Sequence, residues 1–217
     1  MNLIFATHNL HKTDEIRKIV GGMCTILNLY DIGCREEIPE TSNSLQGNAL
    51  QKAQYVSDKY KLDCFADDTG LEIEALDGRP GVYSARYAGE HCSFQDNIDK
   101  VLLEMEEIEN RKASFITVIA LLYEGEKYFF EGRIEGEITK EKSGTKGFGY
   151  DPIFKPNGYH KTFAALGDDE KNKISHRAIA MQKLLVFLKE KKILGVDTTT
   201  SPSHSDIPFL AKVSHNG

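Results

Sequence analysis

Residues 64–74 read CFADDTGLEIE: a short apolar run, two adjacent carboxylates, a hydroxyl and a glycine, and then a second strand-like run. The pattern predicts two strands on either side of a turn at Asp67 and Asp68. Carboxylates at the end of a strand, followed by Thr69 and Gly70, suit a divalent metal and an anionic ligand. Asp, Thr and Gly are also ordinary residues of a solvated turn. By itself the stretch therefore leaves a metal site and a solvated turn open.

The rest of the chain predicts helices that alternate with crossover strands and one hairpin. Helical spacing of apolar residues indicates a helix capped by residues 7–9 and further helices at 45–60, around 98–105 and at 175–189. Apolar runs indicate strands at 2–6 and 24–29, and a hairpin of 114–123 with 127–138. Glycines and a proline make 77–89 a structured loop. This combination is typical of a mixed α/β sheet.

Length and composition describe an ordinary soluble protein. The 217 residues, 40% of them hydrophobic, suffice for one ample core, so residues 1–190 are predicted to form a single domain. Residues 191–217 begin with lysines and continue rich in Thr, Ser and Pro, which predicts a flexible tail. The net charge of −6 argues against a nucleic-acid backbone as the main partner.

The cysteines and the amino terminus indicate the compartment. The four cysteines are widely spaced and lack the clustering that a zinc site needs, which favours reduced, structural thiols. No signal peptide is evident, and no apolar run is long enough to span a bilayer. A cytoplasmic protein without membrane partners is therefore expected.

Two polar segments in the first quarter of the chain are candidates for phosphate and metal binding. The segment Thr7-His8-Asn9-Leu10-His11-Lys12 places a hydroxyl, an amide and a lysine at a helix amino terminus, which suits a phosphate, although a plain N-cap explains it as well. Glu40 lies in a loop after a proline, where it could present its carboxylate to a metal. Asn48 and Lys52 share one helical face, which could equally be a solvated face.

Two later segments are candidates for binding a base. Residues 144–152 read GTKGFGYDP, which is neither a dinucleotide fingerprint nor a Walker loop. Glycines around Phe148 allow close backbone approach beside an aromatic face, as a stacked base needs, but a glycine-rich loop with a core phenylalanine is also consistent. The second segment concentrates donors at a helix start, which could hold phosphate or read a carbonyl, or could be an exposed basic turn: Lys171, Lys173, Ser175, His176 and Arg177.

Taken together, these segments resemble the inosine triphosphate pyrophosphatases, also called XTP/dITP diphosphatases. The resemblance runs in order from residue 2 to about Leu188. Its motifs are Thr7-His8-Asn9 with Lys12, Pro39-Glu40-Thr41, Asn48-Ala49 with Lys52-Ala53, Phe65 to Leu71, Gly81 to Tyr87, Gly147 to Phe154, and Ser175-His176-Arg177. This chain departs from the usual pattern at Ser42, where glycine is common, and at Gln46-Gly47, where an acidic residue is common.

The resemblance implies an elongated two-lobed α/β fold, in which helices flank a long twisted mixed sheet and the site lies in the cleft between the lobes. It implies Mg²⁺-dependent hydrolysis of ITP, dITP and XTP to the monophosphate and pyrophosphate, which removes deaminated purines from the nucleotide pool, and it implies a homodimer. Asp68 matches the proton acceptor and a metal ligand, and Glu40 matches a second metal ligand. Substrate contacts are implied for Thr7, His8, Asn9, Leu10, His11, Lys12, Lys52, Thr69 and Lys171, and a base pocket for Phe148, Gly149, Tyr150, Asp151, His176 and Arg177.

Two other functions compete with this one. A Maf-type nucleotide pyrophosphatase has a related architecture with a different base preference, and residues 147–151 together with 175–177 disfavour it. A nucleotide-binding regulatory module without catalysis is expected to lack the acidic residues at positions 40, 67 and 68, all of which are present.

Overall fold

The computed structural model describes residues 1–194, and its centre is a seven-stranded mixed sheet flanked by helices. Strands β1 to β7 are Asn2–Phe5, Thr25–Leu27, Cys64–Ile73, Pro80–Gly81, Lys112–Tyr123, Glu126–Ile138 and Phe154–Pro156. Helices α1 to α6 are Leu10–Val20, Leu45–Tyr60, Phe94–Glu104, Phe163–Leu166, Asp168–Ile174 and His176–Glu190. The strand order is β2-β1-β3-β5-β6-β7, and the short β4 pairs with β3.

The sheet combines parallel crossovers with a long antiparallel hairpin. Strand β1 is parallel to β2 and to β3, whereas β3, β5, β6 and β7 pair antiparallel in turn. The predicted hairpin is confirmed: β5 and β6 pair from Lys112 with Glu137 to Tyr123 with Glu126. Its loop has two residues, Glu124 and Gly125, both with positive φ (51° and 82°). Such a pair is what a tight hairpin matching the strand twist requires.

The prediction of a turn at Asp67 and Asp68 is wrong. Strand β3 passes through both residues without interruption, and they pair with Ile119 and Val118 of β5. Asp67 is 1% exposed and Asp68 is 8% exposed, which also rules out a solvated bend. Pairing along all ten residues of β3 with β5 overrides the local turn preference of the sequence. The carboxylates are therefore held inside the sheet rather than at the end of a strand.

The two faces of β3 pack against different helices. Phe65 belongs to a core cluster with Ile16 of α1 and Leu184 of α6. Ala66 belongs to a separate cluster with Ala49 and Val56 of α2. Because successive side chains of a strand point to opposite faces, Asp67 lies on the α1 and α6 side and Asp68 on the α2 side.

A third core cluster defines the second half of the elongated molecule. Leu71 and Ile73, at the far end of β3, pack with α3 and with the region around Phe154 and Phe163. We call this half the distal lobe, and the half built on α1, α2 and α6 the proximal lobe. Strands β3 and β5 run through both lobes, and the predicted two-lobed fold is confirmed.

Most helices and strands follow the sequence prediction, and the elements that were not predicted are short. Helix α2 has the predicted bounds. The predicted start of α6 is also confirmed, because the hydroxyl of Ser175 accepts a hydrogen bond from the backbone N–H of Ala178 and so caps the helix. Strand β2 is shorter than predicted, and β7, α4 and α5 were not predicted because none has a sustained apolar period. The single domain over residues 1–190 stays a prediction. Residues 195–217 of the predicted tail lie outside the described residues.

A glycine on β6 allows α6 to lie close to the sheet. A Cβ on Gly132 would stand 2.0 Å from the carbonyl oxygen of His176 and 2.5 Å from the backbone nitrogen of Ala180. Gly132→Ala is therefore expected to lower the free energy of unfolding by about 3 kcal/mol, measured by urea denaturation. The control is Gly22→Ala, where nothing lies within 4 Å of the added carbon. Equal stability of the two variants would contradict this close approach.

Candidate active site

A cavity of about 400 Å³ lies between the two lobes. Its walls come from the loop that joins β1 to α1, from the middle of β3, from the loop before β7 and from the start of α6. We call the part of the lining around Asp68, Lys52 and Glu40 the polar end, and the part around Phe148, Phe115 and His176 the aromatic end. The sheet places these segments together although they are far apart in sequence.

Asp67 is enclosed by basic side chains on the α1 and α6 side of β3. Lys12 Nζ donates to its Oδ1 at 2.8 Å, and Arg177 Nε donates to its Oδ2 at 3.1 Å. Burial alone would raise the pKa of the Asp67 carboxyl, but Lys12 and Arg177 outweigh it and hold that pKa well below its usual range. Asp67 is thus an ionised, fully paired group with no capacity to accept a proton near neutral pH.

Glu15 extends this pairing into a buried charge network. Its carboxylate accepts from Lys171 Nζ at 2.5 Å and from Nη1 of Arg177. Lys171 Nζ also donates to Asp151 Oδ2 at 2.5 Å. Asp67, Arg177, Glu15, Lys171 and Asp151 therefore form one chain of alternating charge, and each charge has a partner, as a buried ion requires. Glu15 was missed in the sequence, although it lies one turn after Lys12 on the same helical face.

Asp68 has a different environment on the α2 side. Its Oδ2 accepts from Asn48 Nδ2 at 3.1 Å, and its Oδ1 accepts from the backbone of Thr69 at 3.0 Å. Lys52 Nζ is 3.9 Å from Oδ1 and donates to Glu40 Oε1. Burial raises the pKa of the Asp68 carboxyl, and the lysine only partly opposes this. Two carboxylates, Glu40 and Asp68, thus share one buried ammonium group.

The positions that depart from the family pattern support Asn48. The backbone N–H of Ser42 donates to Asn48 Oδ1 at 2.8 Å, which aims the amide nitrogen at Asp68. A Cβ on Gly47 would stand 1.9 Å from the Ser42 hydroxyl oxygen. The absence of a side chain at Gly47 therefore leaves the space that the Ser42 side chain occupies.

The aromatic end of the cavity is built around Phe148. The backbone N–H of Phe148 donates to Asp151 Oδ2 at 2.8 Å, and Gly147 leaves room for that carboxylate with φ of 73°. The Phe148 ring lies 4.9 Å from Lys171 Nζ, and its centroid is 5.3 Å from that of the His11 ring. This loop is a structured wall with an aromatic face, and the Phe148 ring is only half-buried.

His176 and Arg177 begin α6 and line the cavity with different properties. Burial lowers the pKa of His176 well below its usual value, so the imidazole is neutral at pH 7. Its Nδ1 is buried without a hydrogen-bond partner among residues 1–194, and its ring stacks on Phe115 at 4.5 Å. Arg177 is 1% exposed and bonds to Asp67, Glu15 and Thr69. His176 thus has spare hydrogen-bonding capacity, whereas most of Arg177 is committed.

The carboxylates fit a magnesium ion. Mg²⁺ in nucleotide enzymes takes one or two carboxylates and completes its shell with phosphates and water. Glu40 and Asp68 supply two hard oxygen donors that already share one cation. Among the described residues no group of three or more His, Cys, Asp or Glu could hold a metal. The donor set therefore suits a metal that is also bound by a phosphorylated ligand.

The structure brings nearly all the predicted site residues to one cavity. Those that line it are Thr7, His8, Asn9, Lys12, Glu40, Lys52, Asp68, Thr69, Phe148, Gly149, Tyr150, Asp151, Lys171, His176 and Arg177. Leu10 does not line the cavity: its side chain is 55% exposed. His11 does not line it either, and its ring contacts Phe148. Lining residues not predicted from the sequence include Ser84, Phe94, Asn97 and Phe115.

Comparison with known proteins identifies the family. Residues 3–187 match the model of the Ham1 family. A dITP/XTP pyrophosphatase of Flavobacterium johnsoniae is 53% identical over 192 residues, which cover 88% of this chain and 100% of that protein. A dITP/XTP pyrophosphatase of Porphyromonas gingivalis is 56% identical over 187 residues, which cover 86% of this chain and 96% of that protein.

The same relationship holds in three dimensions. The structure of the Staphylococcus aureus Ham1 protein matches with a TM-score of 0.80 at 35% identity, and the match covers 88% of this chain and 100% of that one. In the described part of the chain, no helix has the length and apolar character to cross a membrane. The family resemblance drawn from the sequence motifs is confirmed, and this chain belongs to the Ham1 family.

Proposed function

We propose that this chain is a pyrophosphatase that hydrolyses dITP, XTP and ITP to the monophosphate and pyrophosphate with Mg²⁺. The observation that carries the proposal is one cavity with a metal-suited carboxylate pair, buried Asp68 and half-buried Glu40, at one end and an aromatic pocket at the other. The relatives named above as dITP/XTP pyrophosphatases support the substrate class. Removal of deaminated purines from the nucleotide pool is the corresponding biological role, in the cytoplasm and as a homodimer.

The polar end of the cavity has the groups that attack at phosphorus requires. Glu40 and Asp68 would hold Mg²⁺, which supplies charge neutralisation at the phosphates when bound. Lys12 and Lys52 add positive charge beside them, and such preorganised cations stabilise charge that develops in the transition state. Asp68 accepts the proton of the attacking water. The raised pKa of Asp68 suits a general base. The pKa of Asp67 does not, because Lys12 and Arg177 hold it low.

The aromatic end has the groups that distinguish a 6-oxo purine from adenine. The half-buried ring of Phe148, which stacks on His11, gives this part of the cavity an aromatic surface for the base. His176 is neutral and has an unpartnered ring nitrogen, so it can donate a hydrogen bond to the 6-oxo group. A site that commits buried hydrogen-bond groups rejects a ligand that cannot satisfy them. Rejection of guanine depends on the space around its 2-amino group.

The test is pyrophosphate release from ITP, XTP, dITP, GTP and ATP, with and without Mg²⁺. The first three are expected to exceed ATP in kcat/KM by at least roughly 10²-fold, and only when Mg²⁺ is present. Equal turnover of ATP would contradict the proposal. Binding of the nucleotides without release of pyrophosphate would favour a regulatory module instead.

A further inference from the structure

Lys52 occupies an unusual place for a lysine in a nucleotide site. Its ammonium group lies between the two carboxylates proposed to hold the metal: it donates to Glu40 Oε1 and is 3.9 Å from Asp68 Oδ1. Its side chain is 10% exposed and projects from the second turn of α2. The free protein therefore already carries a cation where a metal would act on these carboxylates.

Two cations cannot be neutralised fully by the same two carboxylates. A divalent ion bound at Glu40 and Asp68 would stand close to the ammonium of Lys52, and like charges at such short distances repel strongly where water is largely excluded. Asp67 is the third carboxylate whose charge reaches Lys52, but it is already paired with Lys12 and Arg177. The described residues contain no group of three acidic or other metal-binding side chains that could hold the ion instead. A metal alone would thus have to displace the lysine without compensation.

A triphosphate removes this obstacle. It supplies oxygen ligands that the protein lacks and negative charge toward which a flexible lysine side chain can turn. Lys12 lines the same cavity, but its partner is Asp67, which is not a proposed metal ligand. Of these two lysines, Lys52 is the one whose carboxylate partners the metal would take over, so Lys52 can exchange them for phosphates.

We infer that Lys52 is an internal counter-ion that blocks metal binding in the free protein, so that the metal is retained only together with a phosphorylated ligand. The lysine neutralises Glu40 and Asp68 until a metal–nucleotide complex arrives, and it then pairs with the phosphates. This inference rests on the proposed function, because it assumes that these carboxylates hold the metal.

The test measures Mn²⁺ binding without any nucleotide, from the electron paramagnetic resonance signal of the free ion. Lys52→Met is expected to bind Mn²⁺ at least tenfold more tightly than the parent protein, which corresponds to about 1.4 kcal/mol. The matched control is Lys59→Met, seven residues later on the same helix, where the ammonium pairs with the exposed Glu36. That control is expected to bind Mn²⁺ as the parent does. Lys52→Met binding no more tightly than the parent would overturn the inference.

Two further measurements separate this role from a purely structural one. Mg²⁺ is expected to raise the melting temperature of Lys52→Met more than that of the parent, because a ligand stabilises the fold in proportion to its affinity. A lysine that only supports the fold would give a destabilised variant that Mg²⁺ does not restore. Adding Glu40→Gln to Lys52→Met is expected to abolish the gained affinity, and retention of it would place the metal elsewhere and overturn the inference. Lys52→Gln repeats the titration if the methionine variant does not fold.

The result of the Mn²⁺ titration is independent of the result of the activity assay. Because the titration contains no nucleotide, tight Mn²⁺ binding by the parent overturns only the inference while ITP hydrolysis stands. Failure of the parent to hydrolyse ITP, XTP and dITP overturns the proposed function.

Discussion

Asp68→Asn is expected to lower ITP turnover by at least about 10³-fold while the folded protein remains as stable as the parent or becomes more stable. The activity falls because an amide can neither accept the proton of the attacking water nor neutralise a metal. The fold survives because asparagine has the same shape, and its oxygen can still accept the hydrogen bond from the backbone of Thr69. Its amide nitrogen then faces the amide donor of Asn48, and the loss of that hydrogen bond offsets part of the stability gained by removing a buried charge. Pyrophosphate release and urea denaturation measure the two effects.

The expected stability follows from the direction of the pKa shift. Burial raises the pKa of Asp68 in the folded protein above its unfolded value. A raised carboxyl pKa means that the charged form, which dominates at neutral pH in the unfolded chain, is disfavoured by folding. A neutral amide removes that penalty. Glu72→Gln is the control on the same strand, where the carboxylate pairs with Arg133 at the surface and both properties should stay unchanged. Full activity in Asp68→Asn would contradict the role of this residue as base.

Asp67→Asn, one position earlier, is expected to lower the free energy of unfolding by about 3–5 kcal/mol. The substitution removes the negative charge that Lys12 and Arg177 share, and a buried cation without its partner carries this penalty. Urea denaturation at pH 7 is the measurement. A variant that keeps the stability of the parent would show that the network does not depend on Asp67.

The pH dependence of stability provides a second check on Asp67. Its folded pKa lies below the unfolded value, so its contribution is present above the unfolded pKa, about 3.9, and is lost as the pH falls toward the folded pKa. The difference in stability between the parent and Asp67→Asn should therefore be largest near neutral pH and should shrink below about pH 5. A difference that stays constant from pH 7 to pH 3 would contradict this origin.

The sequence predicted the long helices and strands correctly, but the conformation of residues 67–70 wrongly. Helix α2 and the hairpin of β5 with β6 follow from apolar periods that extend over many residues. The Asp67-Asp68-Thr69-Gly70 segment was assigned to a turn because those residues favour turns, but its conformation depends on pairing with β5, some fifty residues away. Gly70 is needed there for a different reason: a Cβ would stand 2.7 Å from the carbonyl oxygen of Gly81 on β4.

The residues of the site also divide into those that a local pattern predicted and those that only the folded chain reveals. Motif order predicted most cavity-lining residues, because most of the motifs lie beside a recognisable strand end or helix start. Asp68 and Thr69 are the exception, since they lie in the middle of β3. Glu15 lies within α1, and Phe94 is the first residue of α3. Both were missed, since neither has a local feature that separates it from a surface residue. The partner of Glu15 is Lys171, 156 positions later, and only the folded chain reveals that pairing.

The continuous β3–β5 ladder limits how the two lobes can move. A cleft enzyme with a loop hinge can open by rotation about a few residues, but here ten consecutive residue pairs, from Cys64 with Leu122 to Ile73 with Ala113, cross from the proximal lobe to the distal lobe. Closure on a nucleotide therefore has to proceed by added twist along this ladder, which spreads a small distortion over many hydrogen bonds. Asp67 and Asp68 lie near its middle, where such a twist displaces side chains least, so the carboxylate proposed as the base would keep its position while the two ends of the cavity adjust.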